Sequence, residues 1–303
     1  MAVGRSGTAV LGTSLRDPSR KWAPPSSGAE GGTVPRTAVP LRPTTDYTME
    51  FVDTHTHISD EAFAGEEAAV VQRALDAGVV QMLQADTGRV ERDAMYSLCA
   101  RYPGVLYPML GLYPGYVDEN WRDEIDSMLP YRSRGPVAIG EIGLDYHYGA
   151  ETAGLQKEAF KAQLELARDW DLPVNIHLRE ATDDFFAVME ECRGMHLRGN
   201  LHAFSGSAEL FARMERYGEW YAGIGGVLTF KKAHIAADIN RIPLERILLE
   251  TDAPYLAPTP LRGTRNESAN IPLIAARLAE LKGISIEETA AVTTANARKL
   301  FAI

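Results

Sequence analysis

Phe51-Val52-Asp53-Thr54-His55-Thr56-His57 is the stretch from which the chain is best read. Three β-compatible residues lead into two histidines spaced i, i+2, where the first strand of a folded domain should end. On a strand, alternate side chains share a face, so His55 and His57 can turn their imidazoles toward one point. Two neutral imidazoles converging at the end of a buried strand begin a transition-metal site. An isolated H-x-H also suits two surface histidines in a loop, so the rest of the chain has to decide.

Downstream, short apolar runs alternate with helix-patterned segments. Strands are expected at 50–54, 79–84, 105–110, 137–140, 173–176, 198–201, 220–224 and 247–250. Amphipathic stretches at 61–77, 155–170, 182–192 and 208–217 lie between them. Repeated β-then-α order implies a parallel sheet with helical crossovers. Eight units make an α/β protein of the (β/α)8 TIM-barrel type. Two further helical patterns, 271–282 and 285–300, add extra C-terminal helices, and Ser285 with Glu288 forms a capping box for the second. A doubly wound open sheet is disfavoured because no glycine-rich phosphate loop follows the first strand.

In such a barrel, catalytic groups gather at the carboxyl ends of the strands. Polar residues interrupt the apolar strands at those ends: Glu141 on the fourth, His177 on the fifth, His202 on the sixth and Asp252 on the eighth. Each alone has an ordinary explanation, as a first-turn helix acid, a turn former or a satisfied histidine. Together with His55 and His57 they make six nitrogen and oxygen donors suited to one or two divalent cations. His147, His196 and His234 read as structural or surface residues.

Composition narrows the class. Of 303 residues, 45% are hydrophobic and 24% charged, as in ordinary globular proteins. No apolar run approaches the ~18–20 residues of a membrane span. Cys99 and Cys192 are far apart, which suits free thiols in a reducing, cytoplasmic compartment rather than a disulfide framework. Residues 1–48 are rich in Gly, Ser, Thr, Pro and Ala and read as a disordered N-terminal extension, ahead of one hydrolase domain over 49–303. A transit peptide and a natural start at Met49 are both open readings of that extension. It holds six Lys/Arg against three Asp/Glu, which leaves −13 on the remainder of a chain whose net charge is −10. An acidic domain does not coat nucleic acid non-specifically, although bound cations reverse the field locally.

The motifs FVDTHTH, GEIGLDYH, PVNIHLREA, LHAFSG, LLETDAPYLAP and GTRNESAN, in that order over about residues 50–303, resemble the TatD-type metal-dependent deoxyribonucleases, within the amidohydrolase-like barrels. The resemblance implies two divalent ions (Mg, Mn or Zn). His55, His57, Glu141 and Asp252 would surround one, and Glu141, His177 and His202 the other. It also implies 3′→5′ exonuclease action on DNA ends, with no membrane and no obligate protein partner. The chain departs from the family pattern twice. Gly111-Leu112-Tyr113-Pro114-Gly115-Tyr116 replaces a G-x-H-P-H segment, and RNES replaces RNEP. Tyr113 can donate a hydrogen bond but cannot become an imidazolium at neutral pH.

Asp252 and Glu141 are the expected catalytic residues, with Asp252 taking a proton from the attacking water. Arg179 and Tyr113 are the expected substrate contacts. Arg179 has a planar fork for phosphate and, as an alternative, a salt bridge with a strand-end acid. Glu250, two residues before Asp252, reads as a supporting partner for a histidine. Arg179, Lys231, Lys232, Arg262 and Arg265 lean toward a phosphate substrate. Two other functions stay open: hydrolysis of a small ester, amide or lactone, including aminoacyl-tRNA deacylation, and a non-catalytic metal-binding scaffold.

Overall fold

The computed structural model describes residues 49–303, so the disordered extension expected over 1–48 lies outside the described residues. Eight parallel strands follow one another around a single sheet in chain order. They are β1 Phe51–Thr56, β2 Val79–Gln84, β3 Leu106–Leu110 and β4 Ala138–Asp145, then β5 Val174–Arg179, β6 Leu197–Leu201, β7 Gly218–Ile224 and β8 Ile247–Leu249. The ends of the sheet meet where Thr56 bridges Ala253. The His57 N–H donates to the Ala253 carbonyl at 2.8 Å, and the Asp252 N–H donates to the His55 carbonyl at 2.9 Å. The (β/α)8 barrel expected from the sequence is the fold.

Helices α1 Glu67–Asp76, α2 Arg89–Arg101, α3 Trp121–Asp126 and α4 Ala153–Trp170 lie along the first half. Helices α5 Thr182–Glu191, α6 Ala208–Met214, α7 Ile235–Asp238, α8 Ile271–Lys282 and α9 Ile286–Phe301 complete the set among the described residues. With helices outside and side chains filling the interior, the strands are buried on both faces, which is why they read as near-continuous apolar runs. The outer core joins Ile139, Ile142, Val174 and Ile176 to Phe160 and Phe185, whose rings stack at 5.7 Å between α4 and α5.

The extra helix α9 has a particular place. Val52, Leu83, Met109, Ala138, Tyr221 and Leu248 form a second apolar cluster with Ala297, Leu300 and Phe301. Thr294 of α9 donates to the Glu50 carbonyl just before β1, and Lys299 pairs with Glu219 at the start of β7, so α9 lies across the amino ends and closes the barrel floor. Asn296 fixes it there, donating to the carbonyls of Leu244 and Ile247, both at 2.9 Å. At its start Ser285 Oγ accepts from the Glu288 N–H at 3.0 Å, the serine half of the expected capping box.

Three strands run further than the sequence implied. β1 continues to Thr56, β4 to Asp145 and β5 to Arg179. A polar residue within a buried strand reads as a terminator, but here it points into the barrel mouth. The helix expected over 61–77 is instead a 3-10 turn at Glu61–Phe63 followed by α1, broken where Gly65 takes φ +79°. Against β5, Ile139 faces Val174 and Ile142 faces Ile176, so β4 carries one extra residue in the stretch holding Glu141. Such a bulge re-aims a side chain.

Candidate metal centre

His55 and His57 converge as their spacing required. Their Nε2 atoms are 2.9 Å apart. Each ring is oriented through its other nitrogen: His55 Nδ1 lies 2.8 Å from Asn175 Oδ1, and His57 Nδ1 lies 3.2 Å from the Ala85 carbonyl. Both partners are acceptors, so both Nδ1 atoms donate and both Nε2 lone pairs turn to the same point. A proton or a cation must lie between them.

Two carboxylates complete that group. Glu141 Oε2 lies 3.6 Å from His55 Nε2 and 3.7 Å from His57 Nε2, while Asp252 Oδ1 lies 3.5 Å from each. A tetrahedron with metal–ligand bonds of about 2.1 Å has edges of about 3.4 Å, so the spacing fits a small divalent ion. Asp252 Oδ2 is buried with no hydrogen-bond partner among the described residues. The Asp252 backbone turns at φ +55°, a conformation that Asp tolerates better than most residues. Asn266, in the GTRNES segment, holds this turn by donating to the carbonyls of Thr251 at 2.8 Å and Tyr255 at 2.7 Å.

A second group adjoins the first through Glu141. Its Oε1 lies 3.0 Å from His177 Nδ1 and 3.1 Å from His202 Nε2, and those two nitrogens are 3.0 Å apart. His177 Nε2 donates to Asp145 Oδ2 at 2.9 Å, which leaves Nδ1 as the nitrogen turned toward Glu141 and His202. Three protein donors with an open face are the usual form of a catalytic site. All six expected ligands are therefore in one buried constellation.

Beneath it lies a polar layer that the sequence reading found only in part. Asp53, Asn175, Asn200 and Glu250 each precede a ligand by two residues, and all are fully buried. Asn175 Nδ2 donates to Asn200 Oδ1 at 3.1 Å, and Asp53 Oδ2 accepts from Thr251 Oγ1 at 2.6 Å. Glu250 accepts from the Ala203 N–H and sits 3.9 Å from His202 Nδ1, beyond hydrogen-bond distance of the histidine it was expected to support. Glycines make room for this layer. A Cβ on Gly140 would stand 2.6 Å from Asn175 Cβ, and one on Gly223 would collide with the Glu250 carboxylate. The i−2 rule that singled out Glu250 would also have found Asp53, Asn175 and Asn200.

The electrostatics call for positive charge. Burial opposes protonation of His55, yet Glu141, Asp252 and Glu250 push it up to about 9. His177 likewise rises against burial to about 9, through Asp145 and Glu141. Burial, then the neighbouring His55, takes His202 down to about 4, and burial lifts Glu250 to about 8.

The expected substrate contacts fare differently. Arg179 ends β5 beside the mouth, its guanidinium 5.6 Å from the Tyr148 ring. Tyr113 is buried and donates to Asp145 Oδ2 at 3.1 Å. Lys231 and Lys232 are exposed. Arg262 covers the Phe230 ring at 3.8 Å. Arg265 pairs with Glu66 at 2.9 Å and Glu267 at 3.1 Å, tying loops together. Of the other histidines, His147 pairs with Glu180 at 2.6 Å, and His196 and His234 are exposed.

The sequence model described as TatD related DNase matches residues 52–302. The chain belongs to the TatD family. Among TatD-like relatives, the uncharacterized metal-dependent hydrolase YabD of Bacillus subtilis is 34% identical over 253 residues, 83% of this chain and 98% of the relative. The 3′-5′ ssDNA/RNA exonuclease TatD of Pantoea vagans is 35% identical over 256 residues, 82% of this chain and 98% of the relative. The crystal structure of YJJV, a TatD homologue from Escherichia coli K12, superposes with TM-score 0.77 at 30% identity, covering 85% of this chain and all 100% of that one. As a TatD-family member, the chain is a metal-dependent hydrolase.

Proposed function

We propose that this hydrolase removes nucleotides from the 3′ ends of DNA, acting on single strands and using two divalent ions. Glu141 carries the reading: its two oxygens face separate donor groups, His55, His57 and Asp252 on one side and His177 and His202 on the other. One carboxylate shared by two such groups suits the paired ions of phosphodiester hydrolysis. The name of the Pantoea relative supports the substrate class. Magnesium, manganese or zinc held there would supply Lewis-acid charge to the phosphoryl oxygens and acidify the attacking water.

The chain's own groups do the remainder. Asp252 Oδ2, unpaired among the described residues, accepts the proton of the attacking water. Asn175 and the Ala85 carbonyl hold His55 and His57 with Nε2 inward. Arg179 offers its fork to a phosphate oxygen at the mouth. The reading needs no protein partner and places the enzyme in the cytoplasm. Among the described residues, no helix is long and apolar enough to cross a membrane.

The test uses metal-stripped protein and end-labelled single-stranded and duplex DNA, with magnesium, manganese and zinc added separately. Stepwise shortening from the 3′ end is expected, and Asp252→Asn should lower its rate by about 10²–10⁴-fold while keeping the circular dichroism of the fold. No shortening with any metal, or full activity in the variant, would overturn the proposal.

A further inference from the structure

We infer that Tyr113 is a positioning residue for metal binding: through Asp145 it fixes the tautomer of His177 and so reserves His177 Nδ1 as a ligand. The inference rests on the second-ion reading given above, and it assigns Tyr113 a place away from substrate.

The geometry forms a chain of contacts. Tyr113 Oη donates to Asp145 Oδ2 at 3.1 Å, and His177 Nε2 donates to the same oxygen at 2.9 Å. His177 Nδ1 then faces Glu141 Oε1 and His202 Nε2, both at 3.0 Å. The Tyr113 ring stands edge-on to the His177 ring, with centroids 5.2 Å apart and planes at 84°. All these side chains are buried.

Asp145 is held from every side. Its Oδ1 accepts from the His147 N–H at 2.9 Å. Gln156 clamps its backbone, accepting from the Asp145 N–H at 2.9 Å and donating to its carbonyl at 3.0 Å. Such a carboxylate can only accept hydrogen bonds, so the imidazole facing it must carry its proton on Nε2. A carboxylate behind a ligating histidine sets which nitrogen reaches the metal and how basic that nitrogen is.

His177 is also unlike its neighbours. His55 and His57 offer Nε2 and are oriented by neutral acceptors, an amide and a carbonyl. His177 offers Nδ1 and is backed by a carboxylate. The tyrosine at position 113 supplies that carboxylate with a neutral O–H donor.

The experiment is metal-binding calorimetry on metal-stripped full-length protein, together with ¹⁵N NMR of its histidine rings. Before metal is added, and at a pH above the value of about 9 to which Asp145 and Glu141 raise it, wild-type His177 should keep its proton on Nε2 and leave Nδ1 bare, and two equivalents of manganese should bind near neutral pH. Tyr113→Phe should weaken one equivalent about tenfold and leave the other at wild-type affinity. Asp145→Asn presents an amide that can donate to Nε2, so His177 should shift to the Nδ1-protonated form and one equivalent should weaken about 100-fold. The unaffected equivalent reports that each variant is folded. A protonated Nδ1 in wild-type His177 above about pH 9, or wild-type affinity for both equivalents in Tyr113→Phe, would overturn the inference. Neither readout needs a substrate, so a failed exonuclease assay would leave it standing.

Discussion

Arg92→Met should cost about 3–5 kcal/mol of stability at pH 8, because it strands a carboxylate inside the protein. Arg92 and Asp86 are both buried, and Arg92 Nε donates to Asp86 Oδ2 at 2.6 Å. The guanidinium also donates to Ser127 Oγ at 2.8 Å. Methionine replaces much of the aliphatic volume, so the cost is chiefly electrostatic. Asp86 would keep only the backbone donors of Gly88 at 3.1 Å and Gly111 at 3.2 Å. At about 2–4 °C per kcal/mol for a domain of this size, Tm should fall by roughly 6–20 °C.

The pH dependence has a definite sign. Burial pushes the Asp86 carboxyl from 3.8 up to about 6 even with Arg92 holding it down, and removing the guanidinium raises it further. A carboxyl whose folded pKa lies above its unfolded value weakens the fold as pH rises through that interval, because only the unfolded chain ionises freely. The deficit should therefore be largest at pH 8 and shrink toward pH 5. Urea unfolding of the wild type, Arg92→Met and Asp86→Asn/Arg92→Met at both pH values measures it. The double variant should recover most of the loss, since Asn accepts the same backbone donors without charge. A deficit under about 1 kcal/mol at pH 8, or one that grows on acidification, would refute the reasoning.

Three further outcomes are expected. Chelating bound divalent ions should lower Tm by about 5–10 °C relative to protein at 100 times Kd, where binding stabilises by about 2.7 kcal/mol; an unchanged melt would contradict the buried donor set. Burial pushes Cys99 up to about 12 and Cys192 up to about 11 from 9.0, so their contribution to stability is intact below pH 9 and lost above it. Each should add about 1.4 kcal/mol of loss per pH unit in that range, visible as a shallower alkaline slope in Cys99→Ala than in the wild type. Ser285→Ala removes the cap of α9 and should cost about 1 kcal/mol in urea titration, with no change if the Glu288 N–H finds another acceptor.

The barrel was legible because each strand left an apolar run and each helix an amphipathic one. The candidate ligands were legible because Glu141, His177, His202 and Asp252 interrupt those runs. That same interruption blurred the boundaries of β1, β4 and β5, since pattern alone cannot tell a polar residue facing a buried mouth from one ending a strand. Partners were harder to read. Asp145 and Asn175 orient His177 and His55 across 32 and 120 residues of sequence, and strand spacing gives direction but not the neighbour across the barrel. The buried Asp86–Arg92 pair left no trace in composition, and in sequence Arg92 is one more charge on a helix.

The packed interior and the floor laid by α9 leave the site one open side. With side chains filling the interior and Ala297, Leu300 and Phe301 packed beneath it, the one approach to the donor set is from the mouth above His55 and Asp252. A strand of nucleic acid cannot thread through it as through a ring. On the proposed exonuclease reading, each released nucleotide would back out past the end it was cut from, so departure and re-entry would compete for one doorway. Turnover on long substrates would then be paced by that traffic as well as by bond cleavage.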